Sequence, residues 1–295
     1  MCGIVLAYYP LCRLEDATDF INYFNFYNNI PYFSNPVDLF IRFFNHEIHF
    51  EPGFTLLMVA ARTTGISYFG FLFILLSFSN YLFIQSFRRY GHVYFSLLIF
   101  LGSLFLLQEA NISRQMVAVA IFVYGLKFLE DGQKKKYITF VLAASMIHFS
   151  CILFLFLLFV KRVNNLYLFV FWIASILISF IPIEGSSLLQ SIQYYLGGSH
   201  YINKLIDQTD NVTLSFNYVY NVVAFLYFIY AYRYKISDNK FKFVSFIYVL
   251  GCITLNLSFV MVYMFRLAYF MLPMYMVALP ILITSYIQHQ SKTPF

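Results

Sequence analysis

The chain has 295 residues, of which 61% are hydrophobic and 11% charged. Soluble domains average about 45–50% apolar and about 25% charged residues, so this composition excludes an ordinary soluble enzyme and indicates an integral membrane protein. The net charge of +6 does not indicate a nucleic-acid partner. The basic residues lie in short clusters between apolar runs, as expected of cytoplasmic loops.

The N-terminal region predicts one incomplete span and an outer segment. Residues 1–12 are apolar but too short to cross a membrane, and we interpret them as the outer half of a truncated first span. In the polar stretch that follows, Asp19 and Tyr23 would project from one face of a helix, as surface or as functional residues. A short helix is predicted over residues 54–64, and Glu51 would stabilise its N-terminus electrostatically or take part in chemistry.

Long apolar runs occupy most of the remaining chain, and they predict an all-α, polytopic membrane protein. We expect about eight membrane helices, in addition to the truncated first span and one re-entrant helical pair. We treat residues 1–295 as a single membrane domain. The runs cover residues 67–87, 93–107, 114–129, 137–160, 166–183, 218–234, 243–263 and 267–287.

The distribution of basic residues sets the predicted orientation, because short cytoplasmic loops are rich in Lys and Arg. If residues 137–160 crossed the membrane, the basic residues at 161–162 and 233–242 would lie outside, against this rule. We therefore predict that residues 137–160 enter the membrane and return as a helical hairpin with its tip near residues 146–150. Non-helical backbone at that depth must be buried in protein or line a wet cavity.

This topology leaves two main extracytoplasmic segments, near residues 13–66 and 184–217, and places the chemistry on that side. No P-loop, GxGxxG, HExxH, GxSxG or CxxC motif occurs, so we predict no cofactor. Chemistry would then fall to ionisable groups at or inside the outer half of the membrane. Such groups cost about 2.5–3.5 kcal/mol at a helix centre on insertion scales and tend to be functional.

Three ionisable residues stand out within or beside apolar runs. Arg114 and Arg266 are each either an interfacial anchor or an anion-binding group, and a guanidinium matches phosphate oxygens bidentately. His148 is either a hydrogen-bonded structural residue or a base.

Several blocks of the chain resemble the EpsG-type family of polysaccharide repeat-unit polymerases, a branch of the O-antigen and capsule polymerases. Asn111-Ile112-Ser113-Arg114-Gln115-Met116-Val117-Ala118 resembles the family's N-x-x-R-Q-x-x-A block, and Ala144 to Ser150, with His148, resembles its A-x-x-x-H-x-S block. The blocks follow the family's order over nearly the whole chain. The others are Arg13 with Asp19 and Tyr23, Glu51-Pro52-Gly53-Phe54, and Arg266 with Tyr269-Phe270.

The resemblance implies a membrane glycosyltransferase whose substrate is an undecaprenyl-diphosphate-linked oligosaccharide at the outer face of the bacterial cytoplasmic membrane. The growing glycan would move from its lipid diphosphate to the non-reducing end of a new lipid-linked unit. Membrane lipid, a flippase and a chain-length regulator would be its partners.

The resemblance also assigns roles to the polar residues. Asp19, Glu51 or His148 would be the base, and four residues would bind the diphosphate: Arg13, Arg114, Gln115 and Arg266. No DxD motif is present, so a metal-independent reaction is expected, although Asp16 with Asp19 leaves a metal open.

Two other functions fit parts of the sequence. A lipid-linked oligosaccharide flippase or another transporter would favour interrupted helices in two related halves, and no such repeat is found, although Pro273 and Pro280 interrupt the last run. A membrane acyltransferase acting on surface glycan would use His148.

Overall fold

The computed structural model describes residues 20–30, 50–102, 113–160, 164–180, 215–234, 238–258 and 263–290. In these ranges the chain is helical and contains no strand, which confirms the predicted all-α class. The helices are α1 Phe20–Asn29, α2 Pro52–Thr63, α3 Tyr68–Tyr90, α4 Val93–Phe100, α5 Ser113–Glu130, α6 Lys134–Ile147, α7 Asn165–Ser179, α8 Ser215–Arg233, α9 Asn239–Leu257, α10 Tyr263–Met271 and α11 Tyr275–Gln290, with 3-10 helices at Phe149–Leu158 and Leu272–Met274.

Three helical stretches among the described residues are long and apolar enough to cross a membrane: Tyr68–Tyr90, Asn239–Leu257 and Met264–His289. Shorter apolar helices accompany them at Phe149–Leu158 and Asn165–Ser179. The helices agree with a membrane protein, while the count of about eight spans stays a prediction.

The described part of the chain forms two compact units, Met1–Lys161 and Arg162–Phe295. In the first unit, α5 lies at the centre and packs against α3 and α6. Its residues 116–123 are all buried. A helix that is apolar all round belongs in an interior, so α5 is the scaffold on which the rest of this unit packs.

Residues 134–158, in the region of the predicted hairpin, form two helical arms that fold back on each other. Helix α6 ends at Ile147, His148 is extended with φ −148° and ψ 108°, and a 3-10 helix starts at Phe149. A hydrogen bond joins the arms away from the break, where the Tyr137 hydroxyl donates to the Phe154 carbonyl at 2.8 Å. The break lies within the predicted tip at residues 146–150, although its depth in a membrane stays a prediction.

In the second unit, α9 is central and packs against α7, α8, α10 and α11. Amide side chains link three of these helices. Asn221 of α8 donates to Asn256 of α9 at 2.8 Å, and Asn256 donates to Ser175 of α7 at 3.0 Å. The Trp172 indole N–H donates to the side-chain amide oxygen of Asn221 at 2.8 Å. Amides buried among apolar helices need such partners, so this network fixes how the three helices pack.

Candidate functional site

The site begins at the N-terminus of α2, where Glu51 is the N-cap residue and Pro52 the first helical residue. Proline suits this position because its fixed φ matches a helix and its missing N–H needs no partner. The Glu51 side chain makes no capping hydrogen bond to α2. The predicted electrostatic stabilisation of α2 by Glu51 stays a prediction, while the hydrogen bonds of this carboxylate go to other elements.

Gly53 brings this end of α2 against the tip of the hairpin. A Cβ atom on Gly53 would lie 2.7 Å from both Cβ and the carbonyl oxygen of Met146. Real Cβ atoms essentially never approach that closely, so only glycine permits the contact. The close packing sets Glu51 beside the break at His148.

One carboxylate oxygen of Glu51 accepts a hydrogen bond from the start of the 3-10 helix. The backbone N–H of Phe149 donates to Oε1 at 3.2 Å. The first N–H groups of any helix lack partners within it, and the positive end of its dipole favours an anion. Glu51 thus caps the second arm of the hairpin from a different segment of the chain.

The same oxygen lies 3.3 Å from Nδ1 of His148, whose side chain is only 8% exposed. Its backbone N–H donates to the Ala144 carbonyl at 2.9 Å, which holds the residue at the end of α6. The imidazole is therefore fixed both by its backbone and by the Glu51 carboxylate.

The other oxygen, Oε2, forms an ion pair with Nη1 of Arg114 in the first turn of α5. The Arg114 guanidinium also lies among aromatic rings, with its carbon 5.3 Å from the centroid of Phe50, 5.7 Å from Tyr23 and 6.0 Å from Phe54. Ring faces attract cations, and more strongly where water is displaced. The side chain of Arg114 is 19% exposed, so its position is set by protein contacts.

Burial and charge act in opposite directions on Glu51. Burial alone would raise its pKa, but the hydrogen bond with His148 and the positive charge of Arg114 outweigh it, and the pKa of Glu51 lies below its usual value. Glu51 is therefore a carboxylate at neutral pH. It forms a charged bridge between α5 and the hairpin.

The remaining predicted site residues lie elsewhere. Gln115 is buried beside Arg114 on α5, and Arg266 is an exposed residue of α10 in the second unit. Arg13 and Asp19 lie outside the described residues. Their roles, and any cavity shared by Arg114 and Arg266, stay predictions.

Sequence reasoning missed Phe50 as an aromatic neighbour of Arg114, and it missed the amide network of Asn221 and Asn256. Phe50 gives no signal in a chain where 22% of residues are aromatic. The two asparagines do carry one, because a lone amide in an apolar run requires a partner within the bundle.

Among the described residues, no group of three or more His, Cys, Asp or Glu side chains is placed to hold a metal ion. The chain matches the model of the EpsG family over residues 4–295. No curated protein and no solved structure matches the chain significantly.

Proposed function

Because the chain belongs to the EpsG family of Wzy-like polysaccharide polymerases, we propose that it joins lipid-linked repeat units into a surface glycan. In this proposal the enzyme transfers the growing chain from undecaprenyl diphosphate to the non-reducing end of a new lipid-linked unit. The product is a surface glycan of the O-antigen, capsule or exopolysaccharide class.

The observation that supports this function most strongly is the convergence of three separate sequence blocks. Glu51, Arg114 and His148 come from the E-x-G, R-Q and H-x-S blocks, and one carboxylate contacts both of the others. A cation, a carboxylate and an imidazole are costly to bring together in an apolar protein, so their convergence supports a role beyond packing. Ionisable groups of this kind in a membrane protein commonly mark the path of a substrate.

Arg114 is suited to the leaving group of the proposed reaction. A lipid diphosphate departs as an anion, so it needs positive charge more than a proton donor. Glu51 occupies Nη1, and a guanidinium has five N–H donors in all, so Arg114 can also donate to phosphate oxygens.

The Glu51–Arg114 pair has no net charge, and a diphosphate therefore requires further cations. Arg266 and Arg13 are the proposed sources, with Gln115 as an additional donor. No metal is invoked, since the chain has no DxD motif. Asp16 with Asp19 remains the place to search for a metal.

We place the enzyme in the bacterial cytoplasmic membrane, with about eight spans and a re-entrant pair at residues 137–160. The basic clusters would face the cytoplasm, and the site would face the extracytoplasmic side. A flippase would deliver the substrate there, and a chain-length regulator would act on the same growing glycan.

Deletion of the gene tests this function. We expect loss of long glycan chains on a gel, retention of single-repeat products, and restoration by the wild-type gene. Loss of both products with internal accumulation of the lipid-linked unit would instead indicate a flippase. Glycans of normal length that lack acyl groups would indicate an acyltransferase.

A further inference from the structure

The two oxygens of the Glu51 carboxylate have different partners, and this difference distinguishes the roles of Glu51, Arg114 and His148. Oε2 pairs with Arg114, while Oε1 accepts the Phe149 N–H at 3.2 Å and contacts His148 Nδ1 at 3.3 Å. Both oxygens are thus engaged, by groups on two different elements. A proton from a substrate would have to displace one of these contacts.

The approach of the Glu51 carboxylate to Nδ1 also favours one tautomer of His148. A carboxylate only accepts hydrogen bonds, so the approach of Oε1 to Nδ1 is favourable when Nδ1 carries the proton. In a neutral imidazole the other nitrogen, Nε2, is then the basic atom. The geometry orients the ring with a carboxylate behind it, the arrangement that stabilises an imidazolium when one forms.

We propose that Glu51 is a positioning residue, which holds Arg114 and the Nδ1–H tautomer of His148, and that Nε2 of His148 is the base of the transfer reaction. This inference rests on the proposed polymerase function and specifies its acid–base chemistry. In this inference the arginines still bind the diphosphate.

The acceptor hydroxyl gives its proton to Nε2, and its oxygen forms a bond to the anomeric carbon of the growing chain. The bond from that carbon to the diphosphate oxygen breaks, and its electron pair leaves with undecaprenyl diphosphate. The imidazolium, stabilised by Glu51, then releases its proton to the leaving diphosphate or to water.

The lowered pKa of Glu51 supports this division, since a carboxylate that is hard to protonate is a weak base. His148 is close to Glu51 and, through Glu51, to Arg114. On its own arm, Cys151 is a titratable residue whose backbone N–H donates to the His148 carbonyl at 3.0 Å, and its thiol is buried. Glu51 is thus a charged group in direct contact with the imidazole.

The test uses purified full-length protein in proteoliposomes, with lipid-linked repeat units extracted from the deletion strain as the substrate. Turnover is measured between about pH 5 and about pH 9, across the range in which histidine titrates. His148→Asn retains a donor where Nδ1 lies but removes the base. We expect a loss of at least about 100-fold, the lower end of what general base catalysis contributes.

Glu51→Gln tests whether Glu51 acts on the imidazole, because the loss of a purely structural residue would not shift the pH profile. The imidazolium loses its counter-charge, so we expect a smaller kcat and an acid limb of the pH profile displaced to lower pH. Glu130→Gln is the matched control. Glu130 also pairs with an arginine, Arg89, but has no such role, so its profile should match wild type.

A second measurement is made on wild-type protein, and a variant serves only to assign the signal. In protein labelled with nitrogen-15 histidine, the signal of His148 is assigned by its absence in His148→Asn. We expect the Nδ1–H tautomer above the acid limb, and an Nε2–H tautomer would overturn the inference.

Two kinetic results would also overturn it. One is turnover by His148→Asn within a few-fold of wild type. The other is an acid limb that disappears in Glu51→Gln but persists in His148→Asn, which would make Glu51 the base. If wild-type protein itself extends no repeat unit, the proposed function fails instead.

Discussion

Arg114 is held by an anion and by the faces of aromatic rings, and these contacts depend on the shape of its side chain. A guanidinium is planar, so it can lie over Phe50 while one edge meets Glu51. An ammonium group is a compact, strongly hydrated charge without this planar fork. We therefore expect the chemistry of this position to depend on arginine and not on charge alone.

We predict that Arg114→Lys loses most polymerisation, by at least about 10-fold, while the protein still inserts in the membrane. Loss of a single stabilising donor at a reacting group commonly costs about 100-fold or more. The glycan ladder of the complemented deletion strain measures the effect. Arg89→Lys, which changes an arginine paired with Glu130 and Asp131, serves as the control and should retain long chains. A normal ladder from Arg114→Lys would reduce Arg114 to an interfacial anchor.

At the scale of elements, the apolar runs predicted the helices well, and the differences have local causes. The run expected to end at residue 87 continues to Tyr90, because arginines 88 and 89 are good helix formers and Gly91, with φ +83°, ends the helix. The last run is divided near Pro273 by a 3-10 turn, as its prolines indicated. The break between α6 and the 3-10 helix falls within residues 146–150, the tip that the charge pattern predicted, and these residues include neither Gly nor Pro.

The assembly of the site was less predictable than its parts. Glu51 and His148 were both selected from the sequence, but as alternative bases. Nothing local indicates that one binds the other. Their contact depends on Gly53 meeting Met146, a close approach between distant segments that no periodicity encodes.

We predict that Gly53→Ala separates these elements. The added methyl group cannot fit at 2.7 Å from the α6 backbone, so either α2 or the hairpin must shift. Overpacking of this kind costs about 1–3 kcal/mol of stability. We expect a lower melting temperature in detergent and at least about a 10-fold loss of polymerisation, because small misplacements of catalytic groups are costly.

Gly102→Ala is the control for this change, since a Cβ at Gly102 would meet nothing within 4 Å. It should leave both melting temperature and glycan length unchanged. A Gly53→Ala protein with wild-type activity would contradict the close packing of α2 on the hairpin.

At the scale of the whole molecule, the predicted orientation depends on the return of residues 137–160. We predict that a reporter fused after Val163 is cytoplasmic and that one fused near Gly198 is extracytoplasmic. Paired alkaline phosphatase and green fluorescent protein fusions distinguish the two sides. An extracytoplasmic reporter at Val163 would show that the hairpin crosses the membrane.

The two arginines assigned to the diphosphate belong to different units, so their cooperation is a prediction about the whole chain. Arg114→Ala and Arg266→Ala should each abolish nearly all polymerisation. The double variant should lose little more, because residues that act as a unit are not additive. Turnover in proteoliposomes measures this. If either single variant still made long chains at normal expression, the two arginines would not act as a unit.

The Glu51 bridge also has a consequence for biogenesis. Arg114 lies 63 residues after Glu51, and Phe149 lies 98 residues after it. The carboxylate is therefore synthesised well before either partner. At about 5–20 residues per second, it waits on the order of 5–20 s for the hairpin to emerge from the ribosome. An ionised carboxylate is stable in water during this delay, which suits an extracytoplasmic segment. Docking of the hairpin is therefore the event that completes the site, and no nascent chain shorter than residue 149 contains it.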